Sequence, residues 1–276
     1  MPVSKIILHV IADDFGTCAA VDEGILRCRH EGILTGASIA VNGDTACAAL
    51  VEAQAAELNL GVHINLVEGK PISPPDSIST LVDGDGRFWR TAARFFGRCW
   101  RGKINFTHIR REAEAQIRWL LDRGIQPTHI DSHQHIHLWS SVLPLFLELA
   151  QKYGIKRIRL PSLPPEPANG NIGCWFKYGA LCYLGQMGRA KAARAGITCA
   201  DRLWGLMETG AMDRDYLLRM LDHLPIGTHE LICHPSVKSD ECGGELWCHR
   251  GWEETEALTD PEVKEIITRR GIVLEH

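Results

Sequence analysis

Thr128-His129-Ile130-Asp131-Ser132-His133-Gln134-His135-Ile136-His137 is the stretch on which the reading turns. Its histidines and its carboxylate all occupy odd positions. In a strand, the two-residue period sets these five on one face and Ile130, Ser132, Gln134 and Ile136 on the other. Such a face reads as a metal site, because neutral imidazole is the commonest metal-binding side chain. It reads equally as a histidine-rich surface loop, or as core histidines paired with Asp131. Two other stretches add weight to the metal: Ala12-Asp13-Asp14-Phe15-Gly16 and Gly61-Val62-His63-Ile64-Asn65-Leu66.

Outward from there the chain alternates strands and helices. Strands are expected at Lys5–Ala12, Gly36–Val41, Leu58–Leu66, Pro127–His133, Ile155–Leu160, Ile197–Leu203, His229–His234 and Ile272–Leu274. Helices are expected over 18–31, from Asp44 as cap to Glu57, from Thr107 as cap to Gly124, over Val142–Tyr153, from Trp175, from Asp213 to His223, and from Asp260-Pro261 to Arg270. In the Thr107 helix, Ile109, Ala113, Ile117 and Leu120 share one face. Alternation of this kind implies parallel strands with crossover helices. About seven such units favour an irregular TIM-like (β/α) barrel over an open doubly wound sheet. No GxGxxG follows the first strand, which leaves a dinucleotide fold little support. The expectation is one barrel domain over 1–276, with insertions near 67–105 and 162–195.

Composition narrows the class. The chain has 276 residues, 45% hydrophobic and 23% charged, enough for one large core. The net charge of −4 argues against nucleic acid as a partner. The apolar run Ile6–Ala12 is too short to span a bilayer and lacks a cleavage site, so it is expected to be the first buried strand of a cytoplasmic protein. The ten cysteines contain no CxxC pair and are expected to be free thiols. Cys242 and Cys248 flank a glycine-rich loop, but their spacing does not fit a zinc finger.

Chemistry in such barrels sits at the C-terminal ends of the strands. Asp13, Asp14, His63, Asp131, His133, Arg159 and His234 all fall there. A packing explanation would need each of these polar groups satisfied separately. A carboxylate with two imidazoles is a common set for a divalent metal with open positions. Of two adjacent carboxylates, one is able to bind the metal while the other stays free as a base.

At these residues the chain resembles the YdjC/ChbG carbohydrate deacetylases. The resemblance rests on Ala12-Asp13-Asp14-Phe15-Gly16, Gly61–Leu66, Thr128–His135 and Ile232-Cys233-His234-Pro235, in the same order over nearly the whole chain. It implies a barrel related to polysaccharide deacetylases, one divalent metal cation (Mg2+ or Zn2+), and removal of acetyl groups from N-acetylated amino sugars. By position it implies Asp14, His63 and His133 as metal ligands, Asp13 as general base, and His234 as the acid. His135 and His137 match further family histidines and are expected to support the ligands from behind. Arg159 is expected to pair with Asp13 and keep it ionised.

Two stretches bear on the substrate. Arg90, Arg94 and Arg98 are four apart, with Phe95, Phe96 and Trp100 elsewhere on the helix they imply. They read as a solvated face, or as a lid or surface for an anionic or lipid partner. Cys174-Trp175-Phe176-Lys177-Tyr178 to Arg194 is aromatic first and basic later, and reads as a cover or an interfacial element. Both, with Arg157–Pro161, are similar to the branch of the family associated with hopanoid biosynthesis. That likeness implies an N-acetylglucosaminyl glycolipid, with peripheral membrane contact, beside a saccharide or oligosaccharide substrate. A homodimer is the expected assembly. The competing classes are another metal-dependent barrel hydrolase, such as a phosphoesterase or amidohydrolase, and a non-catalytic sugar-binding protein. Against the amidohydrolase, its usual His-x-His would lie on the first strand, where this chain has Asp13-Asp14.

Overall fold

The computed structural model describes residues 5–162, 172–239 and 250–275. The sequence Ile6-Ile7-Leu8-His9-Val10-Ile11-Ala12 forms most of the central strand β1 (Ile6–Phe15), and eight of its ten residues are buried. A strand covered on both faces needs such a near-continuous apolar run. Around it lie β2 (Gly36–Ile39), β3 (Asn59–Ile64), β4 (His129–Ser132), β5 (Arg157–Ile158), β6 (Arg202–Trp204), β7 (Gly227–Cys233) and β8 (Val273–Leu274). The order across the sheet is β5-β4-β3-β2-β1-β7-β6, with β8 paired to the start of β1, and every strand pairing is parallel. The sheet curls, and its edge strand β5 bridges at Arg157 to Thr198, ahead of the other edge strand, β6. Ile158 N donates to Thr198 O at 3.0 Å, and the segment after Thr198 leads into β6. The protein is therefore α/β, with a curled parallel sheet of the barrel type.

Helices wrap the outside: α1 (Ala19–Glu31), α2 (Ala46–Ala55), α3 (Ala92–Trp100), α4 (Phe106–Leu121), α5 (Leu143–Lys152), α6 (Ile172–Arg194), α7 (Arg214–Asp222), α8 (Gly251–Thr259) and α9 (Pro261–Arg270). The expected apolar face of α4 is real: Ile109, Ala113, Ile117 and Leu120 are fully buried. Each of its Ile and Leu side chains contributes roughly 1.5–3 kcal/mol on burial. Asp213 and Asp260 cap α7 and α9 as expected, accepting from Tyr216 N and Glu262 N.

Several boundaries differ from the sequence reading. The cap of α2 is Thr45 and not Asp44, and its side chain makes no capping bond. The cap of α4 is Asn105, whose side chain accepts from Thr107 N, so Thr107 lies inside the first turn. Arg90 is not on the helix of Arg94 and Arg98: it sits at φ 70°, before the Thr91 cap of α3. The helix α8 was not expected; its first turn follows residues outside the described set. Strand β5 is two residues long, so Arg159 follows it, and His234 follows β7. Cys174, Cys242 and Cys248, and the middle of the second insertion, lie outside the residues whose side chains are described. No helix among the described residues is long and apolar enough to cross a membrane.

Candidate active site

Strand pairing brings the polar residues to one level. His63 on β3 lies opposite Asp131 on β4, one step above Ser38 opposite Gly61. At the end of β1 the pairing with β2 slips between Ala12 and Phe15, and Asp14 takes a left-handed φ of 64°. That irregularity points the two adjacent carboxylates at different partners. Asp14 Oδ1 lies 3.0 Å from His133 Nδ1 and 3.4 Å from His63 Nε2. His63 Nδ1 lies 2.7 Å from Asp131 Oδ1, which draws a ring proton there and makes Nε2 the nitrogen turned toward Asp14. His133 Nε2 lies 3.4 Å from Glu68 Oε1.

The donor atoms of Asp14, His63 and His133 all lie within 4.8 Å of one another. Around a cation with bonds of about 2.0–2.2 Å, neighbouring donors sit roughly 3–3.5 Å apart, which matches the two contacts of Asp14. Charge leads to the same view. Asp13, Asp14, Asp131 and Glu230 are all buried, and the one buried guanidinium among them is Arg159. Buried charge at this density needs compensating cations. The residues therefore fit a divalent cation.

Arg159, 1% exposed, is the hub. Its two terminal nitrogens donate to Asp13, at 2.6 Å to Oδ2 and 2.8 Å to Oδ1. One of them also lies 2.8 Å from Asp131 Oδ2, and Nε donates to Glu230 Oε1 at 2.6 Å. Burial outweighs the pull of Arg159 and raises the Asp13 carboxyl above the usual carboxylate range. Burial acts on Asp131 in the same direction, but Arg159 and His63 overcome it and hold its carboxyl well below that range. Asp14 is likewise buried, yet His133 and His63 bring it down. His234 Nε2 stands 4.0 Å from Asp13 Oδ2.

The even spacing of the histidine stretch does not survive as a single face. Strand β4 ends at Ser132, and His133–Leu138 is a tight turn with Gln134 at φ 52° and His135 at φ 54°. Only His129 and Asp131 stay on the strand's inner face. His137 instead braces the backbone: its Nε2 donates to Arg159 O at 2.7 Å, and its Nδ1 accepts from Ser132 Oγ at 2.6 Å. Burial lowers its pKa to about 4, so the ring is neutral. His135 Nδ1 is buried with no hydrogen-bond partner among the described residues.

The structure thus brings Asp13, Asp14, His63, His133, Arg159 and His234 together. It adds four residues that sequence reasoning passed over: Ser38, Glu68, Glu230 and Glu254. Glu254 on α8 accepts from His234 N at 2.6 Å and from Gly210 N at 3.0 Å, which holds the loop carrying His234. A charged residue entering the apolar run Leu231-Ile232-Cys233 was a readable signal for Glu230. The other three stand in ordinary surroundings and carried none.

The YdjC-like protein family matches residues 6–269 of the chain. A carbohydrate deacetylase of Mus musculus is 33% identical over 303 aligned residues, covering 99% of this chain and 94% of that protein. One from Thermoanaerobacter pseudethanolicus is 32% identical over 269 residues, covering 97% and 96%. A crystal structure of an Enterococcus faecalis V583 protein, described as a cellobiose-phosphate cleavage protein, superposes with a TM-score of 0.77 at 28% identity. It covers 99% of this chain and 98% of that one.

Proposed function

Because this chain belongs to the YdjC-like family, whose curated relatives include carbohydrate deacetylases, we propose that it is a metal-dependent carbohydrate deacetylase. The reaction is hydrolysis of the acetamide of an N-acetylated amino sugar to acetate and a free amine. The observation that carries it is a spare carboxylate: Asp13 faces Arg159 and His234 while its neighbour Asp14 faces the two imidazoles. A purely structural metal site has no use for that second carboxylate.

A divalent cation held by Asp14, His63 and His133 would supply a Lewis acid for the acetyl carbonyl and lower the pKa of water at the site. Asp13 takes the proton of the attacking water; its raised pKa suits it to do so. Arg159 grips both Asp13 oxygens and fixes the direction from which the carboxylate works. His234 gives a proton to the departing nitrogen, so that an amine leaves and not its anion. Asp131 holds His63 in the tautomer that presents Nε2.

The finer substrate reading is an N-acetylglucosaminyl unit on a saccharide or on a lipid. Trp100 at the end of α3 is 80% exposed, and Tyr183 and Met187 on α6 are 62% and 60% exposed. Apolar side chains on the surface of both insertions support contact with a lipid-borne substrate. The decisive assay measures acetate release from N-acetylglucosamine, its oligomers and a glycolipid carrying it, with chelator and with Mg2+ or Zn2+ restored. Metal-restorable release from any of them is expected. No release from the whole panel overturns the reading, and failure to float with liposomes overturns its lipid branch.

A further inference from the structure

His63 owes its orientation to Asp131, and Asp131 is itself held by groups deeper in the barrel. Asp131 Oδ2 accepts from Ser38 Oγ on β2 at 2.7 Å. Ser38 Oγ lies 2.9 Å from His129 Nε2. A serine hydroxyl has one proton to give. With that proton spent on Asp131, His129 Nε2 must be the donor to Ser38. His129 Nδ1 is then an acceptor, and it faces a group that only donates, an Arg157 guanidinium nitrogen at 3.4 Å, beside Thr128 Oγ1 at 2.8 Å, whose single proton also has Leu60 O within reach at 3.2 Å. The bonds from Arg157 through His129 and Ser38 to Asp131 therefore all run one way. Ser38 and Asp131 are fully enclosed and His129 is 1% exposed, while Thr128, beside the outer nitrogen of that ring, is exposed.

The neighbouring strand is shaped to admit this ring. A Cβ added at Gly61 would stand 2.2 Å from His129 Nε2. The glycine two residues before His63 thus lets an imidazole lie flat against the backbone of β3. Burial first, then Arg157, lowers the His129 pKa to about 3, so the ring stays neutral and keeps one donor and one acceptor.

We infer that His129 and Ser38 are positioning residues for the cation, acting through Asp131 on the ring nitrogen that His63 presents. Neither touches the proposed ligands, and neither is needed for the proton transfers described above. This inference rests on the proposed metal site.

The test is calorimetric titration of the metal-free protein with Zn2+ and with Mg2+, on wild type, Ser38→Ala, His129→Leu and His129→Gln. Loss of a group that orients a metal ligand is expected to weaken binding by about 10–100-fold in Ser38→Ala and His129→Leu. The glutamine amide retains a donor toward Ser38, so His129→Gln is expected to recover part of the loss. Melting of each metal-free variant is recorded beside it. Variants that melt lower but bind the cation as tightly as wild type would show a purely structural role and overturn the inference. Ser38→Ala removes only an oxygen and keeps the test open where His129→Leu fails to fold. Wild type that binds neither cation overturns the metal reading itself, and this inference with it; wild type that binds while Ser38→Ala binds equally well overturns this inference alone.

Discussion

Asp13 and Asp14 adjoin in the chain yet bind opposite charges of different kinds: Asp13 lies against the Arg159 guanidinium at 2.6 and 2.8 Å, and Asp14 against His133 at 3.0 Å. A regular strand would have sent them to opposite faces of the sheet. The left-handed φ of 64° at Asp14 keeps both at the barrel mouth. Aspartate tolerates that conformation better than most residues, and strain of this sort gathers at functional sites. The division of labour between the two carboxylates is thus written into the backbone.

Asp13→Asn tests that division. The amide keeps the shape and leaves Asp14, His63 and His133 untouched, so cation affinity is expected to stay at the wild-type value. It cannot accept the water's proton, so kcat is expected to fall by about 10²–10⁴-fold. Steady-state kinetics with a parallel metal titration checks both halves; wild-type turnover in the variant would remove Asp13 as the base.

Removing the metal gives the second prediction. In the metal-free protein burial would lower the His133 pKa, but Asp14 and then Glu68 outweigh it and raise it from 6.5 to about 10. A histidine raised in this way adds stability that is fully present below pH 6.5 and is lost as pH climbs through about 10. The cation has to displace that proton. Its affinity is therefore expected to rise with pH across the same window, with proton release on binding. Calorimetry in two buffers of different ionisation enthalpy measures the release, and melts of chelated protein at the two ends of the window measure the stability. Asp14→Asn, which suits the same backbone, is expected to fold and to lose the cation.

Much of this was legible in the order of residues. Alternating apolar strands and helices gave the barrel class, because periodicity is a local property of the chain. Asp13, Asp14, His63, Asp131 and His234 were legible because polar groups at the ends of apolar strands are costly without a purpose. The turn at His133–Leu138 was not: nothing in Ser132-His133-Gln134-His135 forces two consecutive left-handed residues, and the odd-even spacing imitated a longer strand. Ser38 and Glu68 were also hidden. Ser38 reaches its partner Asp131 across 93 positions of sequence, and Glu68 meets His133 only through the loop after β3. Local pattern holds no record of such pairings, which exist only once the sheet has curled.

Arg159 carries the third prediction. Its fork satisfies Asp13, Asp131 and Glu230 at once, a geometry the single ammonium of lysine does not reproduce. Arg159→Met leaves three buried carboxylates without their guanidinium and is expected to destabilise the fold by about 3–5 kcal/mol. Arg159→Lys restores the charge but not the fork, so it is expected to recover stability ahead of turnover. Chemical denaturation set beside kcat separates the two. Equal recovery of both would mean that Arg159 supplies charge alone.

Glu254 reaches the site from outside the barrel. Its two oxygens accept from His234 N and Gly210 N, at 2.6 and 3.0 Å, and it is 1% exposed. In Glu254→Gln one oxygen becomes an amide nitrogen that meets a backbone N–H donor to donor. Either His234 N or Gly210 N then goes unsatisfied, at a cost of about 1–3 kcal/mol. His234 is the proposed acid, so loosening its loop is expected to lower kcat on substrates with a poor leaving group while KM and metal affinity hold. An activated substrate, whose nitrogen leaves without needing a proton, is expected to be cleaved by Glu254→Gln at close to the wild-type rate. If both substrate kinds slow alike, Glu254 supports the fold as a whole and not the placement of His234.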